Sequence, residues 1–291
     1  MTNHPDPASI HKIVLGTVQF GLEYGISNTL GKTTHEEVEN ILDVASQNGI
    51  DLLDTAFSYG NSEEVIGKIS LRHPGFKIVS KFPKPEGKSI SEYLQKSLER
   101  LQVSSLYAYL AHQADVLIEN PELWNELAQL QTDQVILKKG YSVYSPQQLE
   151  QLLDMNMIPD LVQLPYNVFD QRFKPLLTEL KKYKTEIHAR SAFLQGLFFV
   201  DPDSLPTFFD SVKPLLKEIR SMFPTTDELS GALLYFCISE PLLDRVVIGV
   251  NNAEQLIQNL NFLNTEQHAV DWKKFEVVDE AILLPYLWPG N

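Results

Sequence analysis

LGTVQFGLEYG, residues 15–25, closes the first β-rich apolar run of the chain and opens the turn behind it. Its glycines stand at positions 16, 21 and 25, so the G-x-G-x-x-G spacing of a dinucleotide-binding turn is absent. A doubly wound parallel sheet would need such a turn after its first strand. Working outward, short β-rich runs recur at residues 13–16, 51–54, 78–81, 107–112, 135–141, 161–164, 186–190 and 246–249. Stretches of helical spacing separate them. Thr34 with Glu37, Ser145 with Gln148, and Asn252 with Gln255 have N-cap spacing, and Pro146 suits a first helical position. Tyr93, Leu94, Leu98 and Leu101 line one face of a helix over 90–101. Two helical stretches, about 208–222 and 227–239, fall between the seventh and eighth strands, so one is an addition to the repeat. Eight strand–helix alternations predict an α/β fold, a (β/α)8 TIM barrel forming a single domain over 1–291.

Composition bounds the function. The chain has 291 residues, 43% of them hydrophobic and 21% charged, which suits a globular protein and not a disordered one. Lys and Arg number 24 against 38 Asp and Glu, a net charge of −14. That field repels a nucleic-acid polymer but leaves room for one nucleotide in a local pocket. Cys237 is the single cysteine, which excludes a disulfide framework and cysteine-rich metal sites, and no metal is expected. The start MTNHPDPASIHK lacks a signal-peptide pattern, and no apolar run reaches the ~20 residues of a membrane span. A cytoplasmic protein without membrane partners is expected. Nothing in the sequence sets the oligomeric state.

In a barrel, chemistry gathers where strands deliver polar groups to the C-terminal face. The second strand ends in Asp54, with Tyr59 just beyond in DTAFSYG; the third ends in Lys81 and the fourth in His112. Each alone reads as a rim charge or a structural residue. Adjacent strands lie only ~4.8 Å apart, so together they can converge. A phenol of ordinary pKa ~10 is a weak acid, and a neighbouring ammonium favours its phenolate. Lys81 is therefore expected to lower the Tyr59 pKa, with Asp54 fixing Lys81 and His112 orienting a carbonyl. The set contains a proton donor but no hydride source, so a cofactor must supply one.

These residues, in this order, resemble the Asp–Tyr–Lys–His tetrad of the aldo-keto reductase superfamily. The resemblance extends through LGTVQFG (15–21), GYSVYSPQQL (140–149), VQLPYN (162–167), RSAFLQG (190–196) and IGVNNAEQLIQN (248–259). It implies an NAD(P)-dependent oxidoreductase, with Asp54, Tyr59, Lys81 and His112 as the catalytic set. It further implies a nicotinamide nucleotide across the barrel mouth. Gly16, Thr17 and Asp54 would border its nicotinamide end, Ser142 and Gln163 would bind the carboxamide, and Tyr166 would stack on the ring unless it packs beneath the loop. Ser191, Phe193 and Gly196 would wrap the pyrophosphate. Gly249, Gln255 and Asn259 would meet the adenosine, and the helix start at Asn252 would offer N–H groups to a phosphate.

Two departures bear on the cofactor. Val143 stands where the family often has Asn, and Val250, Asn251 and Asn252 stand where NADPH-dependent members place a cation. Arg190 and Arg245 are the nearest basic residues, expected in structural or pyrophosphate roles. NADP(H), the family default, is favoured, and NAD(H) stays open. Phe20, Tyr24, Phe57 and the loop 113–117 are expected at the substrate pocket, which suits a small polar or sugar-like carbonyl compound. The C-terminal segment VDEAILLPYLWPGN either covers the site or docks on the barrel. Two other readings remain: a nicotinamide-nucleotide-sensing regulatory protein on the same fold, and a phosphate-binding barrel isomerase without a redox cofactor.

Overall fold

The computed structural model describes residues 10–70, 73, 75–263 and 270–289, so most of the N-terminal dodecapeptide lies outside the described residues. The strands are β1 (Ile13–Gly16), β2 (Leu52–Asp54), β3 (Lys77–Phe82), β4 (Leu106–Ala111), β5 (Ile136–Ser142), β6 (Leu161–Pro165), β7 (Glu186–Arg190) and β8 (Arg245–Gly249). They pair in chain order, all parallel, and β8 returns to β1 to close the barrel. The expected segments hold to within two residues at their ends. Val135 precedes β5 and His112 lies just past β4, although the His112 N–H still donates to the Phe82 carbonyl at 3.0 Å.

Alternation along each strand sorts the side chains. Val14, Leu52, Val79, Ala108, Leu110 and Leu161 pack together inside the barrel. The other faces carry Ile13, Leu15, Leu53, Tyr109, Val162 and Ile187 into the large core beneath the helices. Two residues beyond the apolar interior layer, the same inward face carries Gly16, Asp54, Lys81, Ser142, Gln163, Arg190 and Gly249. At the opposite end the interior is polar again, with Lys138 and Glu186 paired and Tyr107 donating to Glu186 at 2.7 Å. Arg245 sits at that end, 3.2 Å from Asp51 and far along β8 from the C-terminal face.

The helix starts follow local chemistry. Thr34 and Asn252 accept from the N–H three residues on, and Ser145–Gln148 forms a full capping box with Pro146 in the first turn. Ser89–Glu92 and Thr225–Glu228 form two more. Between β7 and β8 lie helices Lys213–Met222 and Thr226–Ile238. The C-terminal segment docks on the barrel. The Trp288 indole donates to Ile282 at 3.0 Å and packs edge-on against Phe209, while Tyr286 meets Tyr144 edge-on at 5.2 Å. Among the described residues, no helix is long and apolar enough to cross a membrane.

Candidate active site

The inward polar layer floors a cleft of about 620 Å³ at the C-terminal end of the barrel. Asp54, at the tip of β2, is held from both sides. Lys81 Nζ donates to Asp54 Oδ2 at 2.7 Å and to the Thr55 carbonyl at 2.9 Å, and Gln163 Nε2 donates to Asp54 Oδ1. The Thr17 N–H and hydroxyl both bond the Asp54 carbonyl at 3.0 Å, tying β1 to β2 at this level. Tyr59 sits in a tight turn just beyond, its N–H donating to the Ala56 carbonyl. Its ring has Lys81 Nζ 5.3 Å from the centroid and the His112 ring edge-on at 5.5 Å. Asp54, Tyr59, Lys81 and His112 thus meet at one point of the cleft.

The electrostatics correct one expectation. Burial, and next the Asp54 carboxylate, push the Tyr59 phenol above its ordinary range rather than below it. The Lys81 ammonium is committed to Asp54 and faces the ring, so the pair offers the phenol little net positive charge. Burial lowers the Lys81 pKa against the opposing pull of Asp54. His112 is pushed down to about 3, first by burial and then by Lys81 and Arg190, so its imidazole is neutral at ordinary pH. The site presents a protonated phenol, a neutral imidazole and a buried ion pair.

Of the residues expected at the cofactor, Gly16, Thr17, Ser142, Gln163, Ser191, Phe193, Gly196, Gly249, Gln255 and Asn259 line the same cleft. At Gly249 a Cβ would stand 2.6 Å from the Gln19 amide, so a side chain there would displace Gln19. Gln19 Oε1, Gln163 Oε1 and Asn251 Oδ1 are buried without hydrogen-bond partners, and all three residues line the cleft. Buried acceptors are normally satisfied, so this trio suits a ligand that brings N–H and O–H donors.

Four expected residues are not in the cleft lining. Tyr166 is one position past the end of β6, on the outward side, where it stacks on Phe236 at 5.2 Å and is fully buried. Phe20 is wholly within the core. Phe57 packs edge-on against Tyr93, with the Arg100 guanidinium 4.2 Å over its ring. Of the proposed substrate residues, only Tyr24 lines the cleft. Asn252 caps its own helix by accepting from the Gln255 N–H at 2.8 Å. Two more N–H groups at this start are engaged: Ala253 donates to Glu37 Oε1 and Asn251 to Gln255 Oε1. A carboxylate therefore occupies the place expected for a phosphate. Loop 113–117 likewise stays out of the lining, and its Asp115 accepts from Gln148.

The cleft also contains Gln19, Tyr144, Asp227 and Ser230, which were not assigned to it from the sequence, together with Arg190, expected in a structural or pyrophosphate role, and Asn251. Tyr144 and Arg190 were accessible in principle, since each continues the inward alternation of its strand through Ser142 and His188. Among the described residues, no group of three or more His, Cys, Asp and Glu is placed to hold a metal ion.

A profile of the Aldo/keto reductase family matches residues 12–280. Similar curated proteins include the chloroplastic pyridoxal reductase of Arabidopsis thaliana, 27% identical over 51% of this chain and 46% of its own. The putative methylglyoxal reductase DkgA of Salmonella typhi is 29% identical over 45% and 49%. A putative voltage-gated potassium channel subunit beta of Schizosaccharomyces pombe is 25% identical over 77% and 78%. The matched region spans about half the length of the first two. Among solved structures, an aldo-keto reductase of Bacillus halodurans superposes with a TM-score of 0.71 at 21% identity, covering 91% of this chain and 90% of that one. At that identity the likeness supports the fold alone.

Proposed function

Since this chain belongs to the aldo/keto reductase family, we propose that its cleft carries out the reversible, NAD(P)H-dependent reduction of aldehydes or ketones. The observation that carries this reading is the meeting of Tyr59, Lys81 and His112 around one point, with Asp54 locked beneath them. A bound nicotinamide nucleotide would supply the hydride. Tyr59 gives its proton to the carbonyl oxygen as the carbon gains the hydride, so the oxygen stays on that carbon as a neutral hydroxyl. The raised phenol pKa keeps that proton in place until the oxygen develops charge. Lys81 then faces the phenolate that remains, and Asp54 holds Lys81 in position. Neutral His112 offers an N–H to the same oxygen without competing as an acid.

Ser142 and Gln163 are proposed to bind the carboxamide, whose N–H donors would satisfy the orphan Gln163 Oε1. Gly16 and Thr17 border that end, and Ser191, Phe193 and Gly196 border the pyrophosphate. At the adenosine end, the described lining residues Asp227, Asn251, Gln255, Gln258 and Asn259 include no Lys or Arg. A 2′-phosphate there gains no charge-assisted bond from a cation. NAD(H) is therefore proposed to bind at least as tightly as NADP(H). Leu22, Tyr24, Asn28 and Ser58 line the cleft and suit a small, partly polar carbonyl compound. Two of the similar proteins are named as reductases of pyridoxal and of methylglyoxal, which supports that substrate class.

Fluorescence titration with NADH and NADPH, then turnover of 4-nitrobenzaldehyde, tests the reading. Tyr59→Phe is expected to cut turnover by at least about 100-fold while cofactor binding is retained. Full turnover in Tyr59→Phe would refute the proton-donor role. Tight binding without turnover by the unaltered protein would favour the nucleotide-sensing alternative.

A further inference from the structure

Lys81 and Arg190 are the Lys and Arg residues among the described lining of the cleft. Lys81 is compensated by Asp54. No carboxylate lies within ion-pair distance of Arg190 among the described residues; Arg220, outside the cleft lining, shares this, whereas Arg100, Arg172 and Arg245 each pair with at least one. Its hydrogen bonds all go to neutral acceptors: Ser142 Oγ at 3.2 Å, Ser191 Oγ at 3.3 Å and the Val143 carbonyl at 2.9 Å. The Tyr144 ring backs it, 4.3 Å from the guanidinium carbon. The group is thus a planar cation, fixed in orientation and left without a counter-charge in a chain of net charge −14. A partly buried charge without a partner is unfavourable in the free protein. Its use must therefore be sought in the ligand-bound one.

Its position limits what that use is. Arg190 bonds directly to Ser142, and Ser142 stands in register with Gln163. Any ring whose carboxamide is held by Ser142 and Gln163 comes within reach of the guanidinium, while Tyr166 faces the other way. We propose that Arg190 sets the redox preference of the nucleotide site: its positive charge favours the neutral, reduced nicotinamide over the cationic, oxidised one. This rests on the nicotinamide-dependent function proposed above. The same charge already reaches the surrounding groups, contributing to the lowered pKa of His112 and opposing protonation of Lys81.

A ratio isolates this role from phosphate binding or scaffolding, because both redox forms share the same pyrophosphate and differ by one charge on the ring. Dissociation constants for NADH and NAD+ are measured by titration calorimetry for the unaltered protein, Arg190→Met and Arg190→Lys. In Arg190→Met, the ratio of the oxidised to the reduced constant is expected to fall on the order of ten-fold, as for a unit charge near the ring in a partly screened site. Arg190→Lys, which keeps the charge, is expected to stay close to the unaltered ratio. An unchanged ratio in Arg190→Met overturns the inference, even if both affinities drop together. A Lys variant as altered as the Met variant also overturns it, since shape and not charge would then be responsible. Should Arg190→Met fail to fold by circular dichroism, Arg190→Gln is read in the same way. Failure of the unaltered protein to bind either form would instead sink the nicotinamide reading itself.

Discussion

Gln163 and Asp54 lie 109 positions apart, yet Gln163 Nε2 donates to Asp54 Oδ1 while Lys81 Nζ holds Oδ2 at 2.7 Å. Three strands, β2, β3 and β6, are joined through one carboxylate at the mouth of the barrel. The arrangement leaves Gln163 Oε1 without a partner, so the amide is anchored by its nitrogen and open at its oxygen. Position and readiness for a ligand arise from the same side chain.

The buried pair makes a stability prediction. The Lys81 and Asp54 side chains are 2% and 6% exposed. Asp54→Ala leaves the ammonium with the Thr55 carbonyl and no counter-charge, a change expected to cost about 3–5 kcal/mol. Replacing both, as Asp54→Leu with Lys81→Met, removes the stranded charge and is expected to cost less than the single change. Urea denaturation of the three proteins measures the order. A single variant as stable as the unaltered protein would show that Lys81 does not depend on Asp54.

His112 makes a distinct contribution to the pH dependence of stability. Its folded pKa, about 3, is below the ordinary imidazole value of ~6.5, so the unfolded chain binds more protons between those values. Its contribution to stability is complete above pH ~6.5 and is lost as pH falls toward 3. By pH 5 the loss amounts to at most about 2 kcal/mol. His112→Gln is expected to flatten the stability profile across that window, leaving the slope set by the carboxylates. Thermal unfolding at pH 7, 6 and 5 measures the difference. Equal slopes in both proteins would contradict a buried neutral imidazole.

What the sequence disclosed tracks how local each signal is. The barrel was legible because eight apolar runs alternate with capped helices, and capping boxes such as Ser145–Gln148 act within four residues. Asp54, Lys81 and His112 were legible because strand ends are where polar groups escape the apolar pattern. Side-chain direction was less so. Tyr166 is one step past Pro165, and counting alternation from Gln163 turns it outward, a signal present but outweighed by the motif around it. The helix start at Asn252 was not legible because the residue that closes it, Glu37, lies 216 positions from Ala253. No local rule could supply that. Arg190 reads from sequence as a structural or pyrophosphate residue, because its lack of a counter-charge is visible only in three dimensions.

Gly196 tests the clasp between two loops over the cleft. The Ile26 N–H donates to the Gln195 carbonyl at 2.9 Å, and Gln195 Nε2 bonds the Tyr24 hydroxyl at 3.0 Å. Gly196 has φ +89°, and a Cβ there would stand 2.0 Å from Ser27 Oγ. Gly196→Ala is expected to destabilise the fold by about 1–3 kcal/mol, through backbone strain and this contact together. Adding Ser27→Gly removes the contact but not the strain, so it should recover only part of the loss. Differential scanning calorimetry reads both steps. Complete recovery in the double variant would mean that the backbone conformation costs Ala nothing here.

The proposed adenosine end is expected to decide which nucleotide is preferred, and a single substitution there tests it. Gln258 is half-buried on the cleft-lining helix Ala253–Phe262, one position from Asn259. With no cation in the described lining at this end and Asp227 contributing a carboxylate, a 2′-phosphate bound there would meet amides and one like charge. Gln258→Arg places a guanidinium on that wall, where it can bond two phosphate oxygens. The variant is expected to raise NADPH affinity on the order of ten-fold relative to NADH, an effect that weakens as salt is raised. NADH affinity itself should change little, since its ribose carries only hydroxyls there. Parallel fluorescence titrations at two ionic strengths measure this. An equal gain for both nucleotides would place the new charge at the shared pyrophosphate instead. No gain for either would mean that the adenosine lies elsewhere in the cleft.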